Sequence, residues 1–133
     1  MKGSCICGKV TYRIIPPFEI FQYCHCSRCR KFTGSAQAAN LFVPPSQFEW
    51  LKGEGYLGRF ECPDAKYFAT CFCKNCGSSL PWVVQGGKNI VVPAGTLDED
   101  PGIQPQQHVF WGSKAPWFDS SCELPNYEEY PTK

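Results

Sequence analysis

The residues with the most chemistry in them are Cys24-His25-Cys26-Ser27-Arg28-Cys29-Arg30-Lys31. Three thiols fall within six positions, together with a histidine and three cations. Cys24 and Cys26 are two apart, so on an extended chain their side chains point the same way. Cys29 follows three residues later, and a turn after Cys26 returns the third sulfur to the other two. Sulfurs that converge on one point are metal ligands, each about 2.3 Å from a tetrahedral zinc. A disulfide joins only two sulfurs, at a defined Cα spacing, and leaves one thiol of the cluster without a role. Three local ligands leave the fourth position either open, as in a catalytic zinc, or filled by a distant side chain, as in a structural one. The spacing favours the open site and leaves both standing.

The ten cysteines lie at 5, 7, 24, 26, 29, 62, 71, 73, 76 and 122. Cys-x-Cys-x-x-Cys occurs twice, at 24–29 and at 71–76, so spacing alone permits two three-cysteine sites with Cys5 and Cys7 left over. The glycines favour another sorting. Cys5-x-Cys7-Gly8 and Cys73-x-x-Cys76-Gly77 are two half-sites, each followed by glycine, and together they make a Cys₄ structural zinc. Cys71 reads as a small buried hydrophobe. Cys62 and Cys122 are isolated and carry no assignment.

These sites must be held by a modest frame. The chain has 133 residues, enough for one domain, 1–133, with one core. Formal net charge is +1, with no basic stripe, which argues against nucleic acid and against an anionic membrane. No apolar stretch approaches the ~20 residues of a membrane span, and the N-terminus lacks a signal-peptide h-region. The expectation is a cytoplasmic protein whose thiols stay reduced and serve as ligands.

Aromatics make up 15% of the chain, and Gly and Pro number 12 each, spread throughout. That composition suits an aromatic-rich β core with frequent turns. Alternation predicts a strand over Lys9 to Ile15, with Val10, Tyr12 and Ile14 on one face. Further strands are expected at Phe18–Tyr23, Ala36–Val43, Phe48–Trp50, Tyr56–Glu61, Lys66–Cys73, Leu80–Val84, Asn89–Val92 and His108–Trp111. Ser27 is placed to cap a short helical turn carrying Cys29, Arg30 and Lys31, with Gly34 stopping it. Residues 119–133 read as a C-terminal tail. The sum is mainly β, about nine short strands.

Set in order, these motifs resemble the glutathione-dependent formaldehyde-activating enzyme family, also called the GFA or CENP-V/GFA domain. The resemblance rests on Gly3-x-Cys5-x-Cys7-Gly8-x-Val10-x-Tyr12 and on Cys24-His25-Cys26-Ser27-x-Cys29-Arg30 with Gly34. It continues through Phe72-Cys73-x-x-Cys76-Gly77-x-x-Leu80, Gly95-x-Leu97-Asp98 and Pro105-x-x-His108-Val109, leading to Lys114 and Trp117. What it implies is an Mss4-like β-tent of short antiparallel strands with two zinc ions per chain. The structural zinc falls on Cys5, Cys7, Cys73 and Cys76, and the catalytic zinc on Cys24, Cys26 and Cys29. The implied activity joins formaldehyde to glutathione, a carbon–sulfur lyase reaction by classification, or acts on a related thiol and aldehyde.

Chemically, a zinc held by three thiolates suits a soft sulfur as its fourth ligand. A substrate thiol, with a free pKa of about 8.5, is then expected as the thiolate. It would attack an aldehyde carbon to give a hemithioacetal, whose oxygen needs a proton from His25 or His108. Arg28, Arg30 and Lys31 are placed to offset charge or to hold a substrate carboxylate, Arg30 first among them. Each role has a plainer counterpart: packing for the two histidines, a solvated surface for the cations. The competing reading of the whole chain is a non-catalytic zinc-binding interaction module. In it the triad gains a fourth protein ligand and aromatics such as Trp111 or Trp117 meet a partner. The thiols are also open to oxidation.

Overall fold

The structure, a computed structural model, describes residues 1–119 and 123–131. Cys122 therefore lies outside the described residues, as does part of the expected tail. Ten short strands and one helix follow in order: β1 Lys2–Ser4, β2 Thr11–Ile14, β3 Ile20–Cys24, α1 Ser27–Thr33, β4 Ala38–Val43 and β5 Phe48–Lys52. Then come β6 Leu57–Glu61, β7 Ala69–Cys73, β8 Trp82–Val83, β9 Ile90–Pro93 and β10 Gln107–Val109. The fold is mainly β, as the alternation and turn residues lead one to expect, and it has the small-sheet character of a β-tent.

Three sheets form: β1-β2-β5, β10-β3-β4-β9-β8 and the hairpin β6-β7. All pairings are antiparallel except one, β10 beside β3, which runs parallel with Val109 opposite Cys24. A parallel neighbour needs a long connection, and the Pro-containing loop after β9 supplies it.

The five-stranded sheet has two differently used faces, because side chains alternate along each strand. Phe21, Leu41, Val43, Ile90 and Val92 pack with Tyr12 and Ile14 into one buried cluster against the three-stranded sheet. The expected Val10, Tyr12 and Ile14 face is fully buried. Ala38, Asn40 and Phe42 of β4, with Cys24, Val91 and Trp82, belong to the other face, toward α1 and the β6-β7 hairpin.

Several boundaries differ from the sequence-based expectation. The first strand, β1, was not expected: Gly3 and Ser4 are poor strand formers, and the pairing of Gly3 with Tyr12 makes it. Cys26, not Ser27, caps α1, its sulfur accepting the Cys29 backbone N–H at 3.3 Å. Gly34 ends the helix in the left-handed conformation, as expected. The last strand stops at Val109 because Phe110 turns to a positive φ of 55°.

Candidate functional site

Two sets of thiols are brought together. Cys5 and Cys7 follow β1, while Cys73 ends β7 and Cys76 sits in the turn beyond it. Their four sulfurs all lie within 4.8 Å of one another. Two tight turns build the cluster: Gly8 N–H donates to the Cys5 carbonyl at 3.0 Å and Gly77 N–H to the Cys73 carbonyl at 2.7 Å. Both glycines have φ near +78°, a conformation that costs other residues about 1–2 kcal/mol. The backbone N–H of Val10 donates to the Cys5 sulfur at 3.4 Å.

These distances suit a metal ion. Two sulfurs about 2.3 Å from a tetrahedral zinc are about 3.8 Å apart. Cys5 and Cys7 are separated by 3.6 Å, and Cys7 and Cys73 by 3.9 Å, between their sulfurs. Hydrogen bonds also prepare thiolates: the Ser78 hydroxyl lowers the Cys76 pKa, and the Asn75 side chain lowers that of Cys7. Burial acts the other way on Cys73 and raises it.

The second set is Cys24 at the end of β3, Cys26 at the cap of α1 and Cys29 in its first turn. Their sulfurs likewise lie within 4.8 Å of one another, and among the described residues no fourth His, Cys, Asp or Glu joins them. Packed this closely, the thiols compete for ionisation. Cys26 is held well below the ordinary thiol range by hydrogen bonds from Cys24 and then Cys29. The same contacts push Cys24 and Cys29 up. Sulfurs so arranged can all ionise only if a cation shares the space between them. Both thiol groups can hold a metal ion.

All three cysteines of this triad line a cavity of about 360 Å³. Its floor is the sheet: Gln22 and Cys24 of β3, Asn40 and Phe42 of β4, Val91 of β9, Trp82 of β8 and Val109 of β10. Its roof is the turn between β6 and β7, through Ala65, Lys66, Tyr67 and Phe68, with Cys26, Arg28 and Phe110 at the sides. A smaller cavity of about 240 Å³ adjoins it, and Cys29, Asn40, Phe68 and Trp82 line both. The walls are mainly apolar, with a few polar side chains among them, Gln22, Arg28, Asn40 and Lys66, as small-molecule sites are.

The other sequence-selected residues are placed elsewhere. His25 is fully buried, and its ring packs against His108, Trp111 and Phe118. None of these four residues lines the cavity. The His25 Nε2 lies 2.8 Å from His108 Nδ1, one donating and the other accepting. Burial, then the nearby His108 and Lys114, lower the His25 pKa. His108 is exposed and stacks on Tyr23 at 5.4 Å. Arg30 faces a separate depression with Lys31 and Trp117 and donates to the Ser113 carbonyl at 3.2 Å. Arg28 and Lys66 are the cations at the cavity. Cys71 is buried in the core, in neither thiol group, and Cys62 is half-buried. Sequence reasoning passed over Asn40, Trp82 and the 65–68 roof. The one available signal was the polar Asn40 inside an otherwise apolar run, Ala38–Val43.

Residues 1–113 match the sequence profile described as glutathione-dependent formaldehyde-activating enzyme. The chain belongs to this family. Its relatives are distant in sequence. A Halomonas elongata protein, named provisionally as a glutathione-dependent formaldehyde-activating enzyme, is 28% identical over 131 residues, spanning 90% of this chain and 80% of its own length. An uncharacterized lyase of Schizosaccharomyces pombe is 28% identical over 89 residues, 66% of this chain and 61% of that protein. In fold, the chain is similar to a Rhodobacter sphaeroides protein solved by structural genomics. The TM-score is 0.61 at 22% identity, covering 81% of this chain and 99% of that one. No helix among the described residues is long and apolar enough to cross a membrane.

Proposed function

We propose that this chain is a zinc-dependent carbon–sulfur lyase-type enzyme that adds an aldehyde to a thiol, glutathione with formaldehyde or a related pair. One observation carries the reading: three thiols converge with no fourth side-chain donor among the described residues, and a cavity opens on all three. A fourth protein ligand would instead have favoured a non-catalytic module.

Cys24, Cys26 and Cys29 would hold the catalytic zinc, and Cys5, Cys7, Cys73 and Cys76 a structural one, two per chain. When bound at the triad, zinc supplies a soft position that favours a sulfur ligand in its thiolate form. The chain's own residues do the rest. Phe42, Phe68, Trp82 and Val91 give the cavity apolar walls that exclude bulk water. Arg28 and Lys66 offer two cations to the carboxylates of a thiol such as glutathione. Overall the thiol sulfur bonds to the aldehyde carbon, the carbonyl π pair moves to oxygen, and the thiol's proton ends on that oxygen.

His25 has no exposed surface and acts here as a positioning residue, holding β10 and the 111–118 segment against β3. Arg30 plays a similar part through the Ser113 carbonyl. The reading is checked by exchange NMR of glutathione with formaldehyde, with and without zinc-loaded protein. Faster interconversion with S-hydroxymethylglutathione, lost in Cys26→Ser, is expected. Unchanged exchange across a panel of thiols and aldehydes would reject it.

A further inference from the structure

Asn40 is the one polar side chain on its face of β4, between Ala38 and Phe42. It is only 7% exposed, and its amide has no hydrogen-bond partner among the described residues. Its amide atoms are nevertheless not sealed off, since Asn40 lines both adjoining cavities, each of which also contains Cys29. Its cross-strand neighbour Gln22 accepts from Gln107 Nε2 at 2.8 Å. The amide thus reaches the cavity with its hydrogen-bonding groups unclaimed by the described residues. Its neighbours on this face, Ala38 and Phe42, are apolar, and the amide at Asn40 offers this stretch of the cavity wall a donor and an acceptor for a partner that arrives from the cavity.

We infer that Asn40 is a substrate-binding residue, whose side-chain N–H donates to the oxygen of the aldehyde as it adds to the thiol. This rests on the thiol–aldehyde reading above. The sulfur–carbon bond forms while the carbonyl π pair moves onto oxygen, and the thiol's proton ends there. A donor already placed at that oxygen is worth more as charge develops on it than before. The amide donates without itself gaining or losing a proton, so its role does not compete with the proton's route. Having no hydrogen-bond partner among the described residues, it can turn to whichever oxygen the substrate presents.

The site therefore takes molecules that carry an oxygen close to the sulfur. The test compares two thiols that differ in just this respect, 2-mercaptoethanol and ethanethiol, titrated calorimetrically into the full-length zinc-loaded protein without oxygen. Wild type is expected to bind 2-mercaptoethanol tighter by about fivefold, the worth of one neutral hydrogen bond. Asn40→Leu, similar in size and apolar, is expected to bring the ratio to near one with zinc content unchanged. Asn40→Ala serves the same purpose should the leucine variant misfold. Equal binding by wild type, or a preference that survives both substitutions, overturns the role of Asn40 and leaves the proposed reaction intact. If neither thiol binds wild type, the thiol-binding reading fails, and the inference fails with it.

Discussion

At the scale of residues, the cavity separates the groups that line it from the groups that hold the frame. Cys26 is both a member of the triad and the cap of α1. Cys26→Ser keeps an oxygen able to cap but removes a soft ligand. Elemental analysis is expected to show two zincs per chain falling to one, with the circular dichroism of the fold retained. Loss of all zinc would mean that the cysteines had been sorted wrongly between the sites. Asn40 makes the opposite demand. Asn40→Leu removes an amide that makes no hydrogen bond among the described residues, so its unfolding midpoint in urea is expected to stay close to that of wild type. Turnover should fall by roughly a hundred- to a thousandfold, the range for a single lost oxyanion donor. Stability that drops by several kcal/mol would mark Asn40 as a structural residue instead.

Elements decide how these residues meet. The turns at Gly8 and Gly77 bring each cysteine pair round to the other. An added Cβ at Gly77 meets nothing within 4 Å, so substitution there acts through backbone strain alone. Gly77→Val is expected to cost about 1–2 kcal/mol by urea unfolding, and a β-branched residue should make zinc release to a chelator faster. Gly3 behaves differently, because its Cβ would fall 2.3 Å from the Tyr12 ring. The other decisive element is β10, clamped to β3 by parallel pairing and by the His25–His108 contact. His25→Ala empties a buried aromatic position and is expected to cost about 3 kcal/mol. Trp111 packs 5.0 Å from His25, ring to ring, so its fluorescence should shift to the red in that variant. His25→Phe keeps the packing, loses the nitrogen, and should retain most turnover. A His25→Phe protein that folds, holds zinc and has no turnover would return the imidazole to the chemistry.

For the whole molecule, the Cys₄ group joins the N-terminal residues to the end of β7, bridging positions 5 and 76 in one cluster. A structural zinc held there would contribute on the order of 10 kcal/mol, as much as the entire net stability of a typical domain. Complete zinc removal by a strong chelator is therefore expected to unfold the chain, seen as loss of near-ultraviolet dichroism. Partial removal should proceed in order, the three-ligand site emptying before the four-ligand site, with activity lost before structure. A chain that keeps its full tertiary signal without zinc would show that the sheets alone hold it.

What the sequence by itself determined was local. The alternation of Val10, Tyr12 and Ile14 set one buried face, because side chains alternate on a strand whatever surrounds it. The glycines after Cys7 and Cys76 marked turns that need left-handed backbone, and so separated the four-cysteine group from the triad. The family, too, was legible in short motifs set in order. What only the tertiary structure decided was everything that depends on distant segments sharing space. His25 and Cys24 are adjacent in sequence, yet one ring is buried among aromatics from residues 108–118 and the other side chain faces the cavity. Arg30 looked closer to the chemistry than Lys66, but the turn between β6 and β7 folds Lys66 over the pocket while the helix carries Arg30 away. Asn40 was one polar residue in an apolar run until five strands and a roof enclosed it. Periodicity is written along one strand, whereas a pocket is written by the pairing of strands far apart in the chain.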